Sequence, residues 1–78
     1  MIFKEIKFIS ADFTRSEVRS VFRDCRLSHA KFNGADMFQC KMIGCDAVSS
    51  HFINAELANV DLNRSNLTRS DLSNAKIT

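Results

Sequence analysis

Proline and tryptophan are absent from this 78-residue chain, and glycine occurs only twice. With so little glycine there is no phosphate-cradling loop of the glycine-rich kind. No apolar run reaches the ~18 residues of a membrane span, and the opening MIFKEIKFIS lacks the apolar stretch of a signal peptide. Neither sign of charge dominates: eleven Lys and Arg oppose nine Asp and Glu, for a net charge of +2. That balance excludes both the strong positive field of a dedicated nucleic-acid binder and the strong negative field of a DNA imitator. Cysteine is scarce and odd in number, at three. Without a secretion signal, three cysteines point to reduced thiols and a cytoplasmic setting. A chain this short makes one domain and has difficulty burying a sufficient compact core. Its stability must come from something regular and local.

The regularity is a period of five. From Phe22 onward the positions Phe22, Leu27, Phe32, Met37, Met42, Ala47, Phe52, Leu57, Leu62, Leu67, Leu72 and Ile77 are all large and apolar except Ala47. Two residues before each stands a small or medium one, from Ser20, Cys25 and Ala30 through to Ser70 and Ala75. The residue between is polar throughout, save Val21. On an α-helix a step of five turns by about 500°, so these residues would wander round the axis. On a flat strand an odd step would alternate them between faces. The pattern works if the chain turns a corner, always in the same sense, every five residues. Each short side then points one large and one small residue inward, and each coil buries its apolar floor on the next.

The registers Ala35-Asp36-Met37, Ala55-Glu56-Leu57 and Ser70-Asp71-Leu72 resemble the repeat of the pentapeptide-repeat proteins. The resemblance implies an all-β, right-handed quadrilateral β-helix of about four coils, a single domain over 1–78, with four pentads to a square turn. Residues twenty apart then stack at ~4.8 Å. Before Phe22 the period runs through Phe3, Phe8, Phe13 and Val18, one residue out of register. The first coil, 1–19, is therefore shifted against the regular repeats of 20–78, and a corner near Arg19 must be tightened. Across that slip the expected stacks are Phe3–Phe22–Met42–Leu62, Phe8–Leu27–Ala47–Leu67, Phe13–Phe32–Phe52–Leu72 and Val18–Met37–Leu57–Ile77. Ala47 under-fills its column, and Val48 is expected to lean in beside it.

The chemistry-bearing residues fall into the same architecture. Cys25, Cys40 and Cys45 all occupy the small inward column, where cysteine behaves as a compact hydrophobe. Stacked parallel side chains ~4.8 Å apart sit beyond the 3.5–4.5 Å between Cβ atoms that a disulfide needs. His29 and His51 point outward and cannot complete a zinc site with these thiols. No set of nucleophile, base and orienting group comes together. The reading is of a protein that is not an enzyme and uses no metal and no cofactor.

Function then belongs to the outside. One side collects Glu17, Asp36 and Glu56 beside Phe38, with Asp36 and Glu56 as stacked, uncompensated like charges. Such a pair next to an exposed aromatic ring marks a candidate protein-binding surface. The neighbouring sides carry Arg23, Arg26, Lys41, Arg64 and Arg69, with Arg26 stacked on Asp46 and Lys41 on Asp61. The favoured function is a small inhibitor or adaptor, bacterial or from a phage, that binds a protein partner. The resemblance also suggests a nucleic-acid-directed protein or partial DNA mimic acting on gyrase, topoisomerase or a bacterial defence complex. Charge opposes whole-rod mimicry: four rungs span about 19 Å, and B-DNA of that length carries on the order of 11 negative charges. At the C-terminal coil Leu62, Leu67, Leu72 and Ile77 form an apolar floor, and a two-fold homodimer is expected to cover it. The N-terminal end reads as better defended, because Lys4, Glu5 and Lys7 surround Met1 and Ile6.

Overall fold

The computed structural model describes residues 1–77, so the last residue of the expected 1–78 domain lies outside the described part. The chain is a right-handed quadrilateral β-helix with principal extents of 28 × 22 × 20 Å. Strands β1 (Ile2–Lys4), β2 (Val21–Arg23) and β3 (Lys41–Ile43) form a parallel three-stranded sheet in the order β1-β2-β3. Strands β4 (Glu56–Leu57) and β5 (Lys76–Ile77) pair in parallel as a second sheet. Between them, single parallel bridges such as Lys7↔Arg26, Asp12↔Lys31 and His51↔Asp71 continue the ladder around the square. We number the sides one to four from Phe3, Phe8, Phe13 and Val18 respectively.

The large inward residues stack as the four-pentad turn of the resemblance implies. Phe3 registers with Phe22 and Phe22 with Met42. Rings of Phe13, Phe32 and Phe52 lie nearly parallel on side three, with centroids 4.9 and 5.1 Å apart and interplanar angles of 8° and 4°. A spacing of that size places parallel rings in the offset arrangement their quadrupoles favour. Phe22, Phe32, Phe52, Leu27, Met37 and Met42 are fully buried. Phe3, Phe8, Phe13 and Val18 above and Leu62, Leu67 and Leu72 below are partly buried against them. Val48 departs from expectation: Ala47 is fully buried without it, and Val48 stays half-exposed at the corner, outside the core cluster.

Each corner places one residue at positive φ, including Ser10 (61°), His29 (61°), Asn54 (60°), Asn59 (58°) and Asn74 (57°). Side chains other than glycine and asparagine are costly there, and a turn bond holds most of them. Ala11, Ala30 and Ala35 donate their N–H groups to the carbonyls of Phe8, Leu27 and Phe32, each at 3.0 Å. Acidic and amide residues before the large positions add a second clamp. Asp12, Asp61, Asn66 and Asp71 accept from the N–H two residues on, at 2.9–3.0 Å. This is why the middle residue of the repeat is so often Asp or Asn.

Besides the shortened corner at Arg19, three corners, at Glu5, Asp24 and Gly44, lack the turn bond among the described residues. Groups one coil away bond their carbonyls instead. Cys25 Sγ donates to Phe3 O at 3.3 Å, Cys45 Sγ donates to Phe22 O at 3.3 Å, and Ser65 Oγ donates to Met42 O. The inward cysteines thus serve as weak donors as well as small apolar fillers. Burial pushes the thiols of Cys40 and Cys45 above their ordinary range.

The register slip falls where the period puts it. The first coil pairs with the second at a step of nineteen, the later ones at twenty. Arg19, at φ 30°, alone spans the corner between Val18 and Ser20. Ser20 Oγ donates to Val18 O in place of a turn bond, and Ser20 N–H donates to Cys40 Sγ at 3.3 Å.

Candidate functional site

Side four carries the predicted acidic row. Parallel bridges bring Glu17, Asp36 and Glu56 into one column, which Lys76 continues. Phe38 lies in the next column, where the slip has removed its counterpart from the coil above. Arg19 fills that gap. Its Nε and Nη2 donate to Asp36 Oδ2 at 3.0 and 2.7 Å, and its guanidinium carbon lies 5.6 Å from the centre of the Phe38 ring. Asp36 Oδ1 meanwhile accepts from Phe38 N–H at 3.1 Å.

This corrects the reading of side four as a row of uncompensated acids. Asp36 has a cation bonded to it, Glu56 has Lys76 in register beneath it, and Phe38 is half-buried rather than exposed. The Arg19 guanidinium first, then the Phe38 N–H, hold the Asp36 carboxyl below its ordinary range. What side four presents is a fixed cluster of arginine, carboxylate and aromatic ring, flanked by Glu17 and Glu56. An open groove of about 420 Å³ adjoins it, lined by Met1, Phe3, Phe13, Val18, Arg19 and Phe22. Sequence periodicity missed Arg19. Its signal was a long cationic residue standing alone in the shortened corner.

The basic residues are arranged as expected, with one difference. Arg26 is in register with Asp46 and Lys41 with Asp61. Neither pair closes to salt-bridge distance, since Arg19–Asp36 is the one ion pair among the described residues. Arg64 and Arg69 occupy exposed corners at positive φ, and Arg23 is exposed on the first sheet.

The two ends of the rod differ from expectation as well. At the C-terminal coil Leu62, Leu67 and Leu72 are half-buried, and Ile77 is 63% exposed. The N-terminal coil exposes more: Met1 82%, Ile2 72%, Ile9 51% and Ile6 42%. Lys4, Glu5 and Lys7 are exposed themselves and do not bury these apolar side chains. The three thiols are free and buried. No group of three or more His, Cys, Asp or Glu among the described residues is placed to hold a metal ion.

The repeat and the fold find their parallels in one family. The family described as pentapeptide repeats (8 copies) matches residues 2–42, 20–50 and 40–78. A pentapeptide repeat protein from the Arabidopsis thaliana thylakoid lumen superposes with a TM-score of 0.89 at 22% identity, over 99% of this chain and 55% of that one. QnrB1, a plasmid-mediated fluoroquinolone resistance protein, gives 0.74 at 18% identity, over 92% of this chain and 48% of its own. HetL, involved in heterocyst differentiation regulation in the cyanobacterium Nostoc, gives 0.54 at 17%, over 95% and 39%. At such identities the likeness establishes the fold, and this chain spans about half or less of each relative's length. No curated protein matches the sequence. The five-residue period, the square stack and the family match agree: the chain belongs to the pentapeptide-repeat family.

Proposed function

We propose that the chain is a non-enzymatic protein-interaction module, a small inhibitor or adaptor, that engages a protein partner through side four. The observation that carries this is the Arg19–Asp36–Phe38 cluster, in which an ion pair and an aromatic ring are held together at a fixed point between Glu17 and Glu56. Arginine and aromatic residues are the side chains that dominate binding energy at protein interfaces. The interior supports the same reading. It is filled by columns that the repeat dictates, which leaves recognition to the outward rows. Relatives of this architecture with regulatory and resistance roles, HetL and QnrB1, add support.

The experiment is affinity capture from the native host with wild type and with Asp36→Lys/Glu56→Lys. The reading expects a captured protein that the double variant loses while its melting temperature stays close to wild type. Capture unaffected by the double variant would remove side four as the surface.

A second reading has the chain act on a DNA-binding enzyme such as gyrase or topoisomerase, or bind nucleic acid through Arg23, Arg26, Lys41, Arg64 and Arg69. The QnrB1 likeness supports it. The near-balanced charge, net +2, weighs against mimicry of DNA along the whole rod. Loss of binding in Arg64→Glu/Arg69→Glu, with a steep salt dependence, would favour it.

A two-fold dimer that buries Leu62, Leu67, Leu72 and Ile77 against their copies belongs to the same proposal, as does a cytoplasmic setting. Light scattering on wild type and Leu72→Lys tests the dimer. A wild type that stays monomeric at high concentration removes it, and the floor is then the seat of another coil or partner.

A further inference from the structure

A second surface, where sides one and two meet, carries a pattern that the first two coils repeat. Going round the corner in the first coil, the outward residues are Ile2, Lys4, Glu5, Lys7 and Ile9. One coil below, the same places hold Val21, Arg23, Asp24, Arg26 and Ser28. Strand register places Arg23 beneath Lys4, and a bridge places Arg26 beneath Lys7. Like charge therefore stacks on like in two basic rows on either side of the corner, an arrangement that costs stability. Among the described residues no carboxylate lies within salt-bridge distance of any of the four cations. The acidic row between them is partly withdrawn. Asp24 Oδ1 lies 2.6 Å from where a Cβ on Gly44 would stand, so this carboxylate leans down over the glycine of the third coil. The third coil breaks the pattern, with Lys41, Ile43, Gly44, Asp46 and Val48.

We infer that this corner of the first two coils binds an acidic protein segment, whose carboxylates pair with Lys4, Arg23, Lys7 and Arg26 and whose apolar side chains cover Ile2 and Ile9. Charge complementarity chooses an anionic partner, and the flanking isoleucines choose a protein over nucleic acid, whose phosphates gain nothing by covering Ile2 and Ile9. The Glu5–Asp24 row chooses a protein over a lipid surface. An anionic headgroup layer would meet that row with repulsion, whereas a peptide can place its carboxylates to either side of it. β1 lies at the edge of its sheet, so backbone groups are also open to an added strand. This surface is separate from side four and extends the interaction reading to a second partner class.

The test measures binding of a synthetic peptide alternating glutamate and leucine to the full chain. A serine–leucine peptide, polyglutamate, duplex DNA and phosphatidylserine vesicles serve as comparisons. The inference expects the glutamate–leucine peptide to bind at least roughly tenfold more tightly than any of them. Arg23→Glu/Arg26→Glu and, separately, Ile2→Ser/Ile9→Ser should each weaken it by about tenfold, with far-UV spectra unchanged. Asp36→Lys/Glu56→Lys, which tests side four, should leave it unaltered. No binding of the glutamate–leucine peptide overturns the inference. So does equal binding of DNA or vesicles that the arginine variants abolish, which makes the corner a general polyanion site. Insensitivity to the isoleucine variants overturns it too.

Discussion

Phe32 sits at the centre of the side-three ladder, and replacing it with alanine should be the most damaging single truncation in the chain. Its ring is fully buried, stacked at 4.9 Å on Phe13 and at 5.1 Å on Phe52, and set edge-on to Phe22 at 6.3 Å. Truncating a buried phenylalanine costs about 3–5 kcal/mol in transfer and cavity terms. Two ring stacks lost together put Phe32→Ala at the upper end. A domain of this size has a total stability of roughly 4–12 kcal/mol, so the variant should lose a large share of it, and its melting temperature should fall by about 15–30 °C. Phe13→Ala removes the same ring from the half-buried first coil, where one face already meets solvent, and should cost about half as much. Urea denaturation of both variants, followed by far-UV circular dichroism, measures the difference. Equal losses, or a loss under about 1 kcal/mol for Phe32→Ala, would refute the ladder as a continuous core element.

Three further predictions follow from the corners. Inserting one small polar residue after Arg19 restores the pentad register and should change the melting temperature little. The same insertion between Ala55 and Glu56 breaks a regular side and should unfold the lower coils; equal thermal shifts for the two would contradict the slip. Cys45→Ser keeps a donor for the Phe22 carbonyl and should be mild, whereas Cys45→Val leaves that carbonyl without it and should cost about 1–3 kcal/mol more in denaturant titration. For Asp36, the folded pKa is lowered, so the Arg19 contact is complete above the ordinary carboxylate pKa and is lost as pH falls through the lowered value. Carboxyl NMR should show Asp36 titrating below the ordinary carboxylate range, and Arg19→Ala should return it toward that range.

The fold was legible because the repeat acts one residue at a time. A large residue at every fifth place can only be buried by a chain that keeps turning, so the inward placement of Cys25, Cys40 and Cys45 follows from spacing, while the stacks and the step of nineteen across Arg19 rest on the four-pentad turn that the family resemblance implies. The surface was less legible because long side chains are not bound by that period. Arg19 reaches seventeen residues along the chain to Asp36, and spacing alone showed the acids of side four without their cation. Likewise spacing places Lys4, Glu5 and Lys7 around Met1 and Ile6 without showing that they leave Met1 82% and Ile6 42% exposed. The hydrogen bonds of Cys25 and Cys45 were hidden for another reason: they depend on which corners lack the turn bond, and every corner has the same pentad pattern.

The central claim is that the interior is architecture and the outer rows carry recognition. The most direct measurement is quantitative capture from the native host by four forms of the chain: wild type, Cys25→Ser/Cys40→Ser/Cys45→Ser, Asp36→Lys/Glu56→Lys, and Arg23→Glu/Arg26→Glu. The account predicts that the folded triple serine variant retains every partner of the wild type, while at least one of the surface pairs loses one. A partner lost with the buried thiols and kept by both surface pairs would contradict it.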